Sequence, residues 1–326
     1  MAKILFVSQN DLEKRACGVY LIGQRYYSAF VQYSKHAIYG SLASSMMEII
    51  SEIDAIDPDI VLVNYHILHT KWIIISVLQN MFPDIKFAKI EHDFTQDKIN
   101  NYNYLHEQGY KYALCFDNTL TPNHKKVFCL NRMMAVGKPL PYHDSGITKI
   151  GYHGFAFFHK GIEDLAHYVC RNFENAVIRL HMPFSYYGDP NGMSALMMVN
   201  NVQNIIQYNK NITVEHSHEL LNDNELIQWL SQNTINCYFY HPTKLYGVAS
   251  APDYAIAARR PIIVTPTEQL RYVYQNVPES NMENNSIQDI IANDFAPFKK
   301  LYKAMKPQNV VNEFDNIIDE IQRIIC

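Results

Sequence analysis

The chain has 326 residues, of which 48% are hydrophobic and 18% charged, and its formal net charge at pH 7 is −4. That length suits two α/β domains of ordinary size, each with its own core. The slightly acidic balance, without a long run of Lys or Arg, provides no basic footprint for nucleic acid or an anionic membrane.

The first strand candidate, Lys3–Ser8, is too short for a signal-peptide core and runs at once into Asp11, Glu13, Lys14 and Arg15. The longest apolar stretch, from Trp72 to Leu78, falls far short of the ~20 residues that span a bilayer. The six cysteines are scattered without a C-x-x-C pair, which favours free thiols in a reducing compartment, so the expected location is the cytoplasm. A formal sequon at Asn211-Ile212-Thr213 carries little weight beside that.

Short β-branched or aromatic runs alternate with longer helical patterns. In the first half, strands are expected at Lys3–Ser8, Asp59–Tyr65, Lys86–Glu91, Tyr112–Phe116 and Val127–Leu130, with helices at Val19–Tyr33, Met46–Ile56 and Lys71–Met81. In the second half, strands are expected at Thr148–Tyr152, Ala176–His181, Ile212–His216, Asn236–Tyr240 and Pro261–Thr265. Helices there are expected at Gly161–Asn172, Gly192–Tyr208, Asp223–Gln232 and Pro252–Arg259. Strands separated by helices of this length imply βαβ units and parallel sheets. Continuous apolar runs such as Ile60-Val61-Leu62-Val63 fit sheets covered on both faces. The segment from Val136 to Gly146, with two Pro and two Gly, is the natural linker. The division expected is therefore 1–145, 146–305 and an amphipathic terminal helix over 306–326, with Val310, Phe314, Ile317, Ile318 and Ile321 at helical spacing.

Open α/β sheets bind ligands beyond the carboxyl ends of their strands. In the second half this points to His153-Gly154-Phe155-Ala156-Phe157-Phe158-His159-Lys160-Gly161, a strand end, a loop with glycines and a helix start. Backbone amides and a lysine there suit a diphosphate, although Gly and Lys also open many ordinary helices. Glu219 follows the strand ending in His216. Gly247 and Ser250-Ala251-Pro252-Asp253 follow the strand of Asn236–Tyr240, and the latter also spells a capping box. In the first half, Gly18, His66 and His92 occupy corresponding places; each also has a plain reading as a turn glycine or a structural histidine. Asp189, in Tyr187-Gly188-Asp189-Pro190, reads most simply as a turn residue. Asp57-Pro58-Asp59 precedes its strand, at the wrong end of the sheet for a ligand, and His216-x-His218 lacks a third ligand at matching spacing. No metal site and no cofactor are expected.

The order of these second-half segments, ending in Ala257-Ala258-Arg259-Arg260-Pro261-Ile262-Ile263-Val264, resembles the carboxyl-terminal domain of GT-B glycosyltransferases of the group 1, family 4-like type. The first half is similar in its opening strand and Ala16-Cys17-Gly18, in Asp57–His66, and in Ala88-Lys89-Ile90-Glu91-His92-Asp93. The resemblance runs from Lys3 to about Val273. It implies an α/β fold of two Rossmann-like domains with a cleft between them and a C-terminal helix. It also implies transfer of a sugar from a nucleotide-sugar to a glycan or other acceptor, with retention and without metal. His92 is then the catalytic candidate beside the reacting sugar. His153, Gly154, Lys160, Glu219, Gly247, Ser250 and Asp253 are donor-binding candidates, and Gly18 and His66 acceptor-binding ones. The family's paired glutamates are replaced by Tyr246 and Tyr254, with Asp253 one residue before the second. Asp253 is accordingly expected to contact the donor and serve catalysis. Two alternatives follow: a catalytically silent GT-B protein that binds a nucleotide or glycan, and a transferase acting on modified DNA, which the net charge argues against.

Overall fold

A computed structural model of the chain describes residues 1–8, 18–67, 69–101, 109–185, 188–243 and 247–324. The chain forms two compact units, one comprising Met1–Met133 together with Ala304–Cys326, the other Met134–Lys303.

The first unit is a six-stranded parallel sheet in the order β2-β1-β3-β4-β5-β6. In chain order it comprises β1 (Lys3–Val7), α1 (Gly18–Tyr33), β2 (Ala37–Gly40), α2 (Met46–Ile56), β3 (Ile60–Asn64), α3 (Ile75–Met81), β4 (Lys86–Ile90), α4 (Gln96–Asn100), β5 (Tyr112–Cys115) and β6 (Val127–Cys129). The apolar run of β3 is buried throughout, as a strand covered on both faces requires. One face packs on α1 and the terminal helix Pro307–Arg323, where Phe30 and Phe314 stack with ring centroids 4.0 Å apart. The other face packs on α2 and α3 through Ile49, Ile53, Ile75 and Leu78. Lys86 Nζ donates to the carbonyls of Ile321 (2.6 Å), Gln322 (2.9 Å) and Ile324 (3.0 Å), placing a cation on the negative end of the terminal helix.

Two departures from expectation are local. Strand β2 has only four residues, lies at the sheet edge, and follows α1 so closely that no turn cluster marks it. Helix α3 begins at Ile75 instead of Lys71, because the consecutive Ile73, Ile74 and Ile75 are stiff at χ1 and poor at extending a helix start.

The second unit is a five-stranded parallel sheet in the order β11-β10-β7-β8-β9. It comprises β7 (Thr148–His153), α5 (Ile162–Asn172), β8 (Ala176–His181), α6 (Met193–Ile206), β9 (Ile212–Ser217), α7 (Asp223–Ser231), β10 (Ile235–Tyr238), α8 (Ala251–Ala257), β11 (Ile262–Val264), α9 (Arg271–Asn276), α10 (Ile287–Asn293) and α11 (Lys299–Ala304). The proline-rich segment before β7 is bound to this unit. Lys138 N donates to Asn224 Oδ1 at 2.8 Å and Leu140 N to Ser231 Oγ at 3.0 Å, while Arg260 lies 3.7 Å from the Tyr142 ring centroid.

Each strand order contains one reversal, between β1 and β3 in the first unit and between β7 and β10 in the second. At such a point the connections leave the sheet in opposite directions and open a crevice at the carboxyl ends of the strands. Those two places contain most of the expected site residues. Among the described residues, Cys115, Cys129, Cys170 and Cys237 are free thiols, and no helix is long and apolar enough to cross a membrane.

Candidate functional site

In the second unit, β7 ends in His153, and the chain then takes a turn that only glycine accepts easily. Gly154 has φ +139° and donates its N–H to His181 O at 3.1 Å. A 3-10 turn, Phe158–Lys160, follows, and Gly161, at φ +62°, starts α5. A Cβ on Gly161 would lie 1.8 Å from Phe239 O, so this glycine lets the helix start reach the end of β10. The contact is fixed by His241 N donating to His159 O at 2.8 Å.

Lys160 is carried at this junction. Its Nζ lies 3.8 Å from the centroid of the Tyr240 ring, just past β10 and on the far side of the strand-order reversal from His153. No carboxylate or hydrogen-bond acceptor among the described residues engages that ammonium. Burial alone lowers it from the ordinary lysine range to about 7. Aromatic contact contributes roughly 0.5–2 kcal/mol to a cation, well short of replacing its hydration in a partly buried site. Among the described residues the group is a charge without a counter-ion, beside a helix start whose first amides lack intrahelical acceptors. It suits an anion.

Three histidines around it are held neutral. His153 stacks on His181 at 5.9 Å and 9°, and its Nδ1 is buried without a hydrogen-bond partner among the described residues. Burial, then His181, then Lys160 hold His153 well below its usual range. His159 falls to about 4 through burial, with Lys160 and His241 adding to the effect. His181 also falls to about 4, through burial and then His218.

The other donor-side candidates are spread out. Glu219 is exposed in the loop after β9, and Gly247 lies in a bend before α8. Ser250 precedes α8, but its side chain makes no capping bond, which corrects the capping-box reading: its αR backbone (φ −87°, ψ −13°) differs from the extended form a capping residue usually takes. Asp253 has no exposed surface and accepts from Tyr272 Oη at 2.8 Å. The carboxylate expected to contact the donor is thus enclosed in this conformation. Tyr254 Oη donates to Asp223 Oδ1 at 3.0 Å, and Tyr246 lies outside the described residues. Asp189 is a turn residue, as expected, bonded through its backbone to Ser185 and Gly192, and its two side-chain oxygens also accept from Ser194 N and Ala195 N, each at 3.0 Å, in the first turn of α6.

In the first unit the corresponding crevice is built on Asn64, the last residue of β3. Asn64 Nδ2 donates to Ser8 Oγ at 3.1 Å and to Val19 O at 3.0 Å, while its Oδ1 accepts from His92 Nε2 at 2.7 Å. This fixes the His92 tautomer and leaves Nδ1 as the accepting nitrogen. Burial lowers His92 to about 4, against the upward pull of Glu91. Beneath it, the buried pair Lys89–Glu91 closes at 2.8 Å. His66 stacks on His69 at 4.3 Å, and Gly18 opens α1. Among the described residues no three His, Cys, Asp or Glu side chains group as metal ligands, and His216 Nδ1 contacts only His218 Nε2, at 3.2 Å.

Sequence reasoning did not single out Tyr240, Asn64 or His181 as site residues. The rule that selects residues past each strand end covers all three, but nothing in their type separates them from core or turn residues.

No protein-family model matches the chain, and no curated protein does. Solved structures do match. HepE from Anabaena, in complex with UDP and glucose, superposes with a TM-score of 0.62 over 99% of this chain and 100% of that one, at 8% identity. A glycosyltransferase from Rickettsia africae ESF-5 gives 0.63 at 12% identity over 99% of each chain. The trehalose-6-phosphate synthase OtsA gives 0.64 at 9% identity, covering 99% and 100%. Identities this low establish the fold alone: the chain has the two-domain α/β architecture of GT-B glycosyltransferases.

Proposed function

We propose that this protein is a glycosyltransferase whose second unit holds a nucleotide-diphosphate sugar. The observation that carries the reading is Lys160, a partly buried ammonium at the strand-order reversal that has no counter-ion among the described residues. Solved structures of the same fold hold UDP, UDP with glucose, and UDP-glucose. In the transfer, the bond between the anomeric carbon and the β-phosphate oxygen breaks, the acceptor oxygen bonds to the anomeric carbon and gives its proton to the departing phosphate oxygen, and negative charge grows on the leaving diphosphate before that proton arrives. The Lys160 ammonium and the first amides of α5 stabilise that charge where it develops. His153 and Gly154 shape the loop that presents them. Glu219, Gly247 and Ser250 are assigned to the periphery of the donor on sequence grounds alone.

The acceptor belongs to the first unit, with Gly18, His66 and His92 nearby. An imidazole lowered to about 4 is a weak general base, so His92 orients an acceptor hydroxyl through Nδ1 more effectively than it removes its proton. Because a protein cation meets the diphosphate charge, the reaction is proposed to need no metal. Retention of anomeric configuration follows the family resemblance, and free thiols favour a cytoplasmic setting. Titration calorimetry with UDP and GDP in EDTA tests the donor site. Lys160→Ala should weaken binding by about 1.5–3 kcal/mol, the range for a charge-assisted hydrogen bond; unchanged affinity removes Lys160 from the site.

A second reading is a GT-B protein that binds the nucleotide without transferring. It is favoured by one observation: Asp253 is enclosed against Tyr272, and Tyr254 is tied to Asp223. Nucleotide binding without turnover of any nucleotide-sugar would select it.

A further inference from the structure

Asn64 is buried at the end of β3 and meets groups from three other segments at the carboxyl end of the first sheet. Its Nδ2 donates to Ser8 Oγ, just past β1, at 3.1 Å and to Val19 O, in α1, at 3.0 Å. Its Oδ1 takes the third bond, from His92 Nε2 just past β4, at 2.7 Å. The Val19 carbonyl can only accept, so the two ends of the amide are assigned and His92 Nε2 is the donor. An enclosed amide bonded at both ends has one orientation, and it passes that orientation to the imidazole.

Helix α1 is shaped to permit this. Gly23 lies in its interior, where glycine is the poorest helix former after proline. A Cβ at this position would lie 2.2 Å from Asn64 Nδ2 and 2.6 Å from Ser8 Oγ. Gly23 has no left-handed φ, so it is the close approach of Asn64 and not the backbone that calls for glycine. Val19, whose carbonyl receives Asn64, stands one turn earlier on the same helix face. Ser8, Gly23, Asn64 and His92 thus form one bonded group drawn from four places in the sequence. What the group presents is His92, which is half-buried and makes no second hydrogen bond among the described residues. The charges that act on the ring are Glu91, Arg132 and His66. A neutral ring with a bare nitrogen beside the Glu91 carboxylate suits a hydroxyl and disfavours an anion.

We propose that Asn64 is the positioning residue of the first unit: it holds His92 so that Nδ1 accepts from a ligand hydroxyl, and Gly23 keeps open the space in which it does so. The role rests on the assignment of His92 to the acceptor side of the proposed transfer. Asn64 itself touches no substrate and acts through His92.

NMR and turnover on the full chain test this together. With isotope-labelled histidine, the His92 signal is identified by its loss in His92→Gln. Asn64→Asp places a carboxylate on Nε2–H and favours the charged ring, so the titration midpoint of His92 should rise from about 4 by roughly one unit or more. Glu91, Arg132 and His66 are untouched in that variant, so the shift reads the contact itself. Release of nucleoside diphosphate from nucleotide-sugars should fall roughly tenfold in Asn64→Ala and in Gly23→Ala, with the Kd for UDP unchanged. Neither substitution should lower release further in a His92→Gln background, because residues that act through one group are not additive. Gly23→Ala adds a better helix former and its methyl meets the ends of two side chains rather than backbone, so it keeps the test open if an Asn64 variant fails to fold. An unmoved His92 midpoint in a folded Asn64→Asp protein, or losses that add to that of His92→Gln, overturns the proposal. A shifted midpoint in a chain that releases nothing from any nucleotide-sugar supports Asn64 as the residue that orients His92 and counts against the transferase reading.

Discussion

Binding of a nucleoside diphosphate at Lys160 should take up a proton, and the amount follows from the structure. Burial holds the free ammonium at about 7, so at pH 8 about one-tenth of the protein carries the charge. An anion at hydrogen-bond distance restores the charged form, so complex formation at pH 8 takes up about 0.9 proton. Equivalently, the apparent Kd rises about tenfold per pH unit above 7 until the bound-state value is reached. Competing titrations are few. The terminal phosphate, ionising near 6, is already dianionic, while His159 and His181, at about 4, and His153, held well below its usual range by burial, remain neutral. Calorimetry at pH 8 in buffers of different ionisation enthalpy measures the uptake. Lys160→Met should abolish it. Binding of UDP by the wild type without proton uptake, or with the same uptake in Lys160→Met, refutes the assignment. The same shift has a stability sign. A folded-state value below the unfolded one of ~10.4 means that the unfolded chain binds more protons between 7 and 10.4. This contribution therefore strengthens as pH rises through that window and is lost as pH falls to 7, so Lys160→Met should raise the melting temperature of the ligand-free protein near pH 6.5.

Other outcomes follow from single contacts. Gly161→Ala places a methyl against Phe239 O in a left-handed backbone and should cost roughly 2 kcal/mol or more, read by urea denaturation; a cost below about 0.5 kcal/mol would mean the junction is loose. Tyr272→Phe removes a donor from the enclosed Asp253 carboxylate and should destabilise by about 1–3 kcal/mol, with nucleotide affinity unchanged; a loss of affinity at constant stability would place Asp253 in the donor site. His92→Gln should leave UDP binding intact and lower transfer by roughly tenfold, about 1.4 kcal/mol in the barrier, whereas full activity would remove His92 from the acceptor side.

The parts of the fold legible in the sequence were those written in one continuous stretch. Ile60-Val61-Leu62-Val63 specifies a buried strand by itself, and Val310, Phe314, Ile318 and Ile321 mark one buried face of the terminal helix. The passage from His153 to Gly161 was legible as a strand end, a glycine turn and a helix start because those features are neighbours in the chain. What the sequence could not show was pairing at a distance. Ser250 and Asp253 have the spacing of a cap, but Asp253 turns inward to a hydroxyl 19 residues away, which no local pattern encodes. Tyr240 faces Lys160 across 80 residues of chain, and Asn64 reaches His92 across 28. Such pairs become visible only when parallel strands bring their carboxyl ends together.

The most direct test is release of nucleoside diphosphate from a panel of nucleotide-sugars by the purified chain in EDTA. The account predicts release from at least one UDP- or GDP-sugar, falling tenfold or more in Lys160→Met while the variant's melting temperature holds or rises. Release that is unchanged in a stable Lys160→Met protein, or that appears only when manganese or magnesium is restored, contradicts it.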